Sequence, residues 1–385
     1  GSRIPWSLNP NPQPPAPSPR PRMTYAILTF GCRVNQADSF GLEGGLRMRG
    51  AVEAPADAAD LVIVNTCSVT GAADQSARRA IRGLSRDNPS AHIVVTGCYA
   101  TRKPGDLDRL PNVLMVVPNQ NKDGLLRALD EAFTFTTPDR VGAADGSCGQ
   151  GLAPGAMGRT AYPLRAQTGC DQTCAFCIIP STRGPSRSRP MAEIRDEVHR
   201  VAAAGYKEVW LVGVHLGSFG RDQQPATALI ELLRDLDHQP GDTTFRIGSL
   251  EPMDCPQDVV DLVARSGRFA PHFHLPLQHA SDRVLRVMRR PYTFASYQDL
   301  VNRIRERLPH ASIGSDVIVG FPGESDQDAE AMATAIERMP LSYLHVFPYS
   351  DRPGAEATTM VPKVDAVLIK MRAKRLREIA GRLND

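Results

Sequence analysis

The stretch AQTGCDQTCAFCIIP, residues 166–180, carries Cys170, Cys174 and Cys177 in the spacing C-x3-C-x2-C, with Phe176 directly before the last. Thiolates are soft ligands, suited chiefly to zinc and iron–sulfur clusters. A closed structural zinc site takes four ligands, whereas three protein ligands leave one position for a reactant. No histidine lies between Cys170 and His199, so a local fourth zinc ligand is missing. Three thiolates on one short loop can instead hold three irons of a cubane and leave the fourth iron open.

A second set of cysteines repeats the arithmetic. TYAILTFGC, LVIVNTC and HIVVTGC put Cys32, Cys67 and Cys98 just past the carboxyl ends of three expected strands. Ligands of open parallel sheets bind in the crevice outside those ends, so three distant residues should converge on one edge. One cysteine after a strand is ordinarily a small buried apolar residue. Three in the same position argue for a soft-metal site, zinc or iron–sulfur. Cys148 and Cys255 have no partner spacing and read as incidental, Cys148 as an exposed, oxidisable thiol. Eight cysteines without a secretory leader point to a reducing compartment, the cytoplasm.

These residues need a scaffold. The 385 residues suffice for two domains. Residues 1–22, studded with proline, read as a disordered tail ahead of a natural start at Met23. From 23 to 134, the strands TYAILTF, LVIVN, HIVVT and VLMVVPN alternate with the helical patterns SFGLEGGLRMRG, DQSARRAIRGLSRDNP and KDGLLRALDEAF, so an open parallel sheet is expected. Residues 135–160 are rich in Gly and Pro and read as a linker. From 161 to 362 come AYPLRAQ, EVWLVGV, TFRIGSL, HFHLPL, IGSDVIVG and YLHVFPY, separated by amphipathic helices. Six such units suit a partial (β/α)6 barrel. Residues 363–385 read as a basic helix. The expected class is therefore α/β. No uncharged apolar run approaches the roughly 18–20 residues that cross a bilayer. The net charge of +3 permits a nucleic-acid partner without demanding one.

C-x3-C-x2-C with an aromatic before the last cysteine resembles the signature of radical S-adenosylmethionine enzymes. With GCRVNQADS, NTCSVT, TGCYA, LVGVHLGSFG, RIGSLEP, LPLQ and DVIVGFPGE, the chain from Met23 resembles the methylthiotransferase family. It looks most like the branch acting on N6-threonylcarbamoyladenosine beside the anticodon of tRNA. The branches acting on isopentenyladenosine and on a ribosomal-protein aspartate are the alternatives, and a zinc-bound RNA-binding protein is a more distant one. The resemblance implies two 4Fe–4S clusters, an auxiliary one on Cys32, Cys67 and Cys98 and a radical one on Cys170, Cys174 and Cys177. The latter would cleave S-adenosylmethionine to a radical that takes hydrogen from C2 of adenine, and methylthio carried on the auxiliary cluster would replace it. The implied partners are tRNA and a flavodoxin- or ferredoxin-like electron donor. Many relatives continue into a small RNA-binding barrel, the TRAM domain, which the expected architecture omits.

The same resemblance implies cofactor contacts from Phe176 beside adenine, Gly213, Ser249, Glu251 and Gln278, with Gly320 admitting adenine because it lacks a Cβ. Where relatives continue LPLQ with Ser-Gly-Ser, this chain has His279-Ala280-Ser281, and His279 reads as a solvent-facing loop residue. Arg183, Arg187 and Arg189 follow the cluster loop and suit bidentate phosphate contacts. Arg286, Arg289 and Arg290 form a second basic stretch, while Lys370, Arg372, Lys374, Arg375 and Arg377 read as a solvated helix face. Trp6, in the tail, and Trp210, in a strand, carry no functional weight.

Overall fold

The computed structural model describes residues 22–68, 71–135, 154–155 and 159–383. The tail through Pro21 with Trp6, most of the expected linker, and Cys148 lie outside the described residues.

The first half runs β1 (Thr24–Thr29), α1 (Arg33–Met48), β2 (Val52–Glu53), β3 (Leu61–Thr66), α2 (Gly71–Asp87), β4 (His92–Gly97), α3 (Cys98–Arg102), β5 (Val113–Val117) and α4 (Leu125–Ala132). All five strands are parallel, in the order β2-β1-β3-β4-β5. The central strand explains why LVIVN shows no polar alternation. Val62 and Val64 pack with Ala77 and Ile81 on one face, Leu61 and Ile63 with Leu42, Leu46 and Leu129 on the other. Two features differ from the sequence expectation. The edge strand β2 has only two residues, both exposed, and so leaves no hydrophobic signature. Helix α1 starts well before Ser39, because its first turns bury the polar Asn35, Asp38 and Ser39 beside only Val34 and Ala37, which blurs the apolar pattern.

The second half contains β6 (Ala161–Arg165), β7 (Gln167–Thr168), α5 (Ile179–Arg183), β8 (Arg187–Ser188), α6 (Met191–Ala203), β9 (Glu208–Val212), α7 (Leu229–Asp237), β10 (Thr244–Ile247), α8 (Gln257–Arg265), β11 (His272–His274), α9 (Asp282–Val287), α10 (Phe294–Arg307), β12 (Ser312–Val319), α11 (Asp326–Arg338), β13 (Tyr343–Pro348) and α12 (Ala366–Gly381). Two parallel three-stranded sheets, β6-β9-β10 and β11-β12-β13, are joined by a parallel bridge between Ser249 and His274. Strand β11 is shorter than HFHLPL suggests, and the chain turns at Gln278, whose φ is 67°. Phe273, Ile313 and Val317 point toward Leu300, Ile304 and Met332 of the surrounding helices. The alternate positions His272, His274, Asp316, Tyr343 and His345 therefore share the opposite, inner face, because successive strand residues alternate.

The terminal helix is not a free basic surface. Ala373, Leu376 and Ile379 are buried, and Arg372 donates to Glu324 at 2.7 Å and Asp326 at 2.5 Å. Arg375 reaches Glu330 at 2.7 Å, so these basic residues fasten α12 to α11 and the turn before it. Among the described residues no helix is long and apolar enough to cross a membrane.

One buried carboxylate ties the halves together. Asp38 of α1 accepts from Lys122 at 2.9 Å, from Arg165 of β6 at 2.7 Å and from Arg183 of α5 at 3.1 Å. Burial raises its pKa, but the three cations outweigh that and hold it far below the ordinary carboxylate range. A buried ion pair is a weak source of net stability, yet removing one partner strands the others. Asp38→Asn is therefore expected to cost about 3–5 kcal/mol of unfolding free energy, measured by chemical denaturation. A loss below about 1 kcal/mol, the scale of an exposed pair, would contradict this account of the hub.

Candidate active site

The first cysteine trio lies along one sheet edge. Cys32 caps α1, Cys67 follows β3 and Cys98 opens α3, after adjacent strands β1, β3 and β4. Two glycines make the turns possible. Gly31 has φ 94°, and a Cβ there would stand 2.5 Å from both Cβ and Sγ of Cys67. Gly97 has φ 100° and abuts the backbone of Thr66. Asn119 Nδ2 donates to Cys98 Sγ at 3.6 Å. The charges of Lys122 and Arg183 reach Cys98, that of Arg183 reaches Cys32, and that of Arg352 reaches Cys67.

The second trio follows β7. Cys170 N–H donates to the Gly184 carbonyl at 3.1 Å, and the Cys177 N–H donates to the Cys174 carbonyl at 3.1 Å. Two sulfurs accept backbone donors, Cys170 from Gln172 and Cys177 from Ile179, each at 3.4 Å. Arg290 Nη1 donates to Cys174 Sγ at 3.1 Å and is also paired with Glu251. Burial pushes the Cys177 thiol up to about 11; Cys174 and Cys170 push the same way, while the Ile179 amide and Arg290 oppose. Three thiols gathered on one short loop would, once deprotonated, call for a cationic centre between them.

The donor geometry discriminates between centres. A single tetrahedral zinc, with bonds of about 2.3 Å, would draw all its sulfurs within roughly 4 Å of one another. Among the described residues, neither trio is that tight; only His274, Asp316 and His345 have all their donor atoms within 4.8 Å. Those three share one carboxylate oxygen, with His274 Nε2 and His345 Nδ1 each 3.0 Å from Asp316 Oδ1. Open trios of thiols, none in a disulfide, fit a cubane whose ligated irons occupy separate corners.

The trios share a neighbourhood. Helix α3, opened by Cys98, packs against α5, which begins two residues after Cys177. Asn119 Nδ2 joins them by reaching both Cys98 Sγ and, at 3.0 Å, the Thr182 carbonyl.

Other expected residues are distributed unevenly. Phe176 packs near Phe321 and Ile318, and Glu251 reaches the cysteine loop through Arg290. Ser249 Oγ lies 2.7 Å from His274 Nδ1, while Gln278 exchanges backbone hydrogen bonds with β12. Gly213 sits against Gln167 and Leu216. Gly320 requires a correction: the space beside its Cα is taken by Ile369 of α12, so its missing Cβ serves helix packing, not adenine. Arg183 also departs from expectation. It is buried and spent on Asp38 and Asn35, because docking α5 on α3 encloses it. Arg189 pairs with Glu197 at 2.6 Å, while Arg187 is exposed without an ion pair among the described residues. His279 is fully buried, 3.5 Å from Glu324, rather than solvent-facing. Arg290 leaves its basic stretch to join the cysteine loop, and Trp210 underlies an arginine.

Sequence reasoning passed over His215, although it stands inside LVGVHLGSFG. It is buried, contacts Cys170, and places Nε2 2.6 Å from Asp254.

Comparison with known proteins now bears on this arrangement. The Radical SAM superfamily model matches residues 164–336, and the uncharacterized protein family UPF0004 matches residues 24–118. A threonylcarbamoyladenosine tRNA methylthiotransferase, MtaB, from Aquifex aeolicus (strain VF5) is 37% identical over 369 residues, covering 93% of this chain and 88% of that one. The chain belongs to the radical SAM methylthiotransferase family. MtaB of Bacillus subtilis (strain 168) is 35% identical, with 94% and 81% of the two chains covered. A tRNA-2-methylthio-N(6)-dimethylallyladenosine synthase from Carboxydothermus hydrogenoformans is 32% identical, with 92% and 82% covered. The structure of the radical S-adenosylmethionine methyltransferase TsrM from Kitasatospora setae matches with a TM-score of 0.61 at 16% identity, covering 88% of this chain and 74% of that one. That likeness concerns the fold alone. In this radical SAM methylthiotransferase, α3 and α5, which adjoin one cysteine of each trio, pack against each other.

The His215 pair has a pH signature. Burial lowers its pKa, but hydrogen bonds and charge from Asp254 and Cys170 outweigh this and raise it from 6.5 to about 9. Its stabilising contribution is therefore complete below about pH 6.5 and lost as pH rises through about 9. Denaturant midpoints of wild type and His215→Gln are expected to differ most at pH 6 and converge toward pH 10. A constant difference would disprove the charged pair.

Proposed function

We propose that this methylthiotransferase modifies C2 of N6-threonylcarbamoyladenosine beside the anticodon of tRNA. The observation that carries the reading is the packing of α3 on α5, which gathers Cys98 and Cys177, members of the two trios, toward one junction. Hydrogen abstraction and sulfur delivery must reach the same carbon, so their sources have to share a chamber. The MtaB relatives, at up to 37% identity, support the threonylcarbamoyl substrate over the dimethylallyl one, whose relatives reach 34%.

In this reading residues 23–134 carry the auxiliary site, and residues 161–362 form a partial (β/α)6 barrel carrying the radical site. Cys32, Cys67 and Cys98 would hold one 4Fe–4S cluster, and Cys170, Cys174 and Cys177 the other. Bound there, the clusters and S-adenosylmethionine supply the radical and sulfur chemistry that no side chain can. The chain's own residues orient and insulate. Arg290 holds Cys174 against Glu251, and His215 with Asp254 steadies Cys170. Phe176, Gly213, Ser249, Glu251 and Gln278 remain the cofactor-facing set. A flavodoxin- or ferredoxin-like protein would supply electrons, and the cytoplasm would house the reaction.

Anaerobic reconstitution should load about eight irons per chain, and about four in Cys32→Ala/Cys67→Ala/Cys98→Ala. That variant should still cleave S-adenosylmethionine reductively yet form no methylthio nucleoside. Mass spectrometry of tRNA from cells with and without the gene tests the substrate. Loss of the 2-methylthio form of threonylcarbamoyladenosine is expected; loss of the isopentenyladenosine derivative instead would reassign the enzyme to the other branch.

A further inference from the structure

The inner face of the second half is lined with rings where a filled barrel would carry branched aliphatic side chains. His272 and His274 of β11 stack on Tyr343 of β13, with centroids 6.1 and 5.9 Å apart and planes within 16° and 15°. Gly314 of β12 permits this, since a Cβ there would collide with the Tyr343 ring. Trp210 of β9 continues the band, 6.3 Å from His272.

One arginine of the other half enters this band. Arg33, the residue after Cys32, lies over the Trp210 ring with its guanidinium carbon 3.4 Å from the centroid. It forms no ion pair with any described residue. Its nearby carboxylate is already committed: Glu208 Oε1 accepts from Trp210 at 2.8 Å and from Arg246 at 2.7 Å. Arg159, also without an ion pair among the described residues, repels Arg33, as does Arg246. The guanidinium is charged at any physiological pH. Cations gathered without enough anions beside a stacking surface define a site for a planar ligand bearing a negative group.

Resting on the substrate proposed above, we infer that Arg33, on the Trp210 face and supported by Arg159 and Arg246, binds the carboxylate of the N6-threonylcarbamoyl group. Adenine C2 must approach the Cys32 side of the junction to receive sulfur. A group attached to the same base, a few bonds away, then falls within reach of the residue following Cys32. The dimethylallyl substituent is neutral and apolar and would leave Arg33 unpaired, so the contact selects between the two substrates.

The test uses reconstituted protein and three synthetic anticodon stem-loops, carrying threonylcarbamoyladenosine, its carboxyl methyl ester, or unmodified adenosine. Dissociation constants are read by fluorescence anisotropy. Wild type is expected to bind the acid about tenfold tighter than the ester, the scale of one charge-assisted contact. Arg33→Gln should abolish that preference while leaving the unmodified stem-loop within about twofold, and Arg33→Lys should restore part of it. Acid and ester bound equally by wild type, or a preference that survives Arg33→Gln, overturns the assignment. Weakening of all three stem-loops alike, with the salt slope reduced by about one, would make Arg33 a phosphate contact and overturn it. So would a loss of S-adenosylmethionine affinity in equilibrium dialysis with the acid preference intact, which would assign the guanidinium to the methionyl carboxylate. Product analysis separates the two readings. If wild type methylthiolates the threonylcarbamoyl stem-loop but shows no Arg33-dependent preference, only this inference falls. If it modifies isopentenyladenosine instead, the substrate reading falls with it.

Discussion

A buried carboxylate with three cationic partners sets the geometry on which everything else depends. Asp38 comes from the helix that Cys32 caps, Lys122 from the segment before α4, Arg165 from β6 and Arg183 from the end of α5. Each cation is directional, and low local polarity penalises any rearrangement that separates charge. The hub therefore works as a register pin more than as a source of net stability. It fixes α1 against β6 and brings α5 onto α3, and the two cysteine trios follow.

The same cations also stand beside the first cysteine trio. Arg183 acts at once as a partner of Asp38 and as a positive neighbour of Cys32 and Cys98. Lys122 does the same for Asp38 and Cys98. Loss of either cation would therefore disturb the hub and the surroundings of the first trio together. Around the other trio the cation is Arg290, held by Glu251. The inner face of the second half is different in kind: its stacked rings and unpaired Arg33 are organised for a flat ligand rather than for burial.

The legibility of this architecture in the sequence follows physical lines. Strands buried on both faces, such as Leu61–Thr66, announce themselves as apolar runs, and the recurrence of cysteine after three of them identifies a shared edge. The start of α1 is hidden because three of its first buried residues, Asn35, Asp38 and Ser39, are polar, and Asp38 finds its partners far along the chain. Arg183 reads as a phosphate-binding candidate, and Arg290 as one of a basic stretch, because an unpaired arginine and a buried, paired one look alike in a sequence. Gly320 has the left-handed φ of 78° suited to glycine, but only packing shows that Ile369 fills the space beside it.

Local chemistry was thus decided by the sequence alone: two sets of three thiols, the strand ends that carry them, and the alternation of strands and helices. Those depend on residue type and short-range spacing, which the chain order preserves. Which trio faces which, which arginines are spent on carboxylates, and which rings share the inner face were decided only by tertiary structure. Partners such as Asp38 and Arg183, or His274 and Tyr343, are distant in sequence and meet only when the two halves and the curved sheet close.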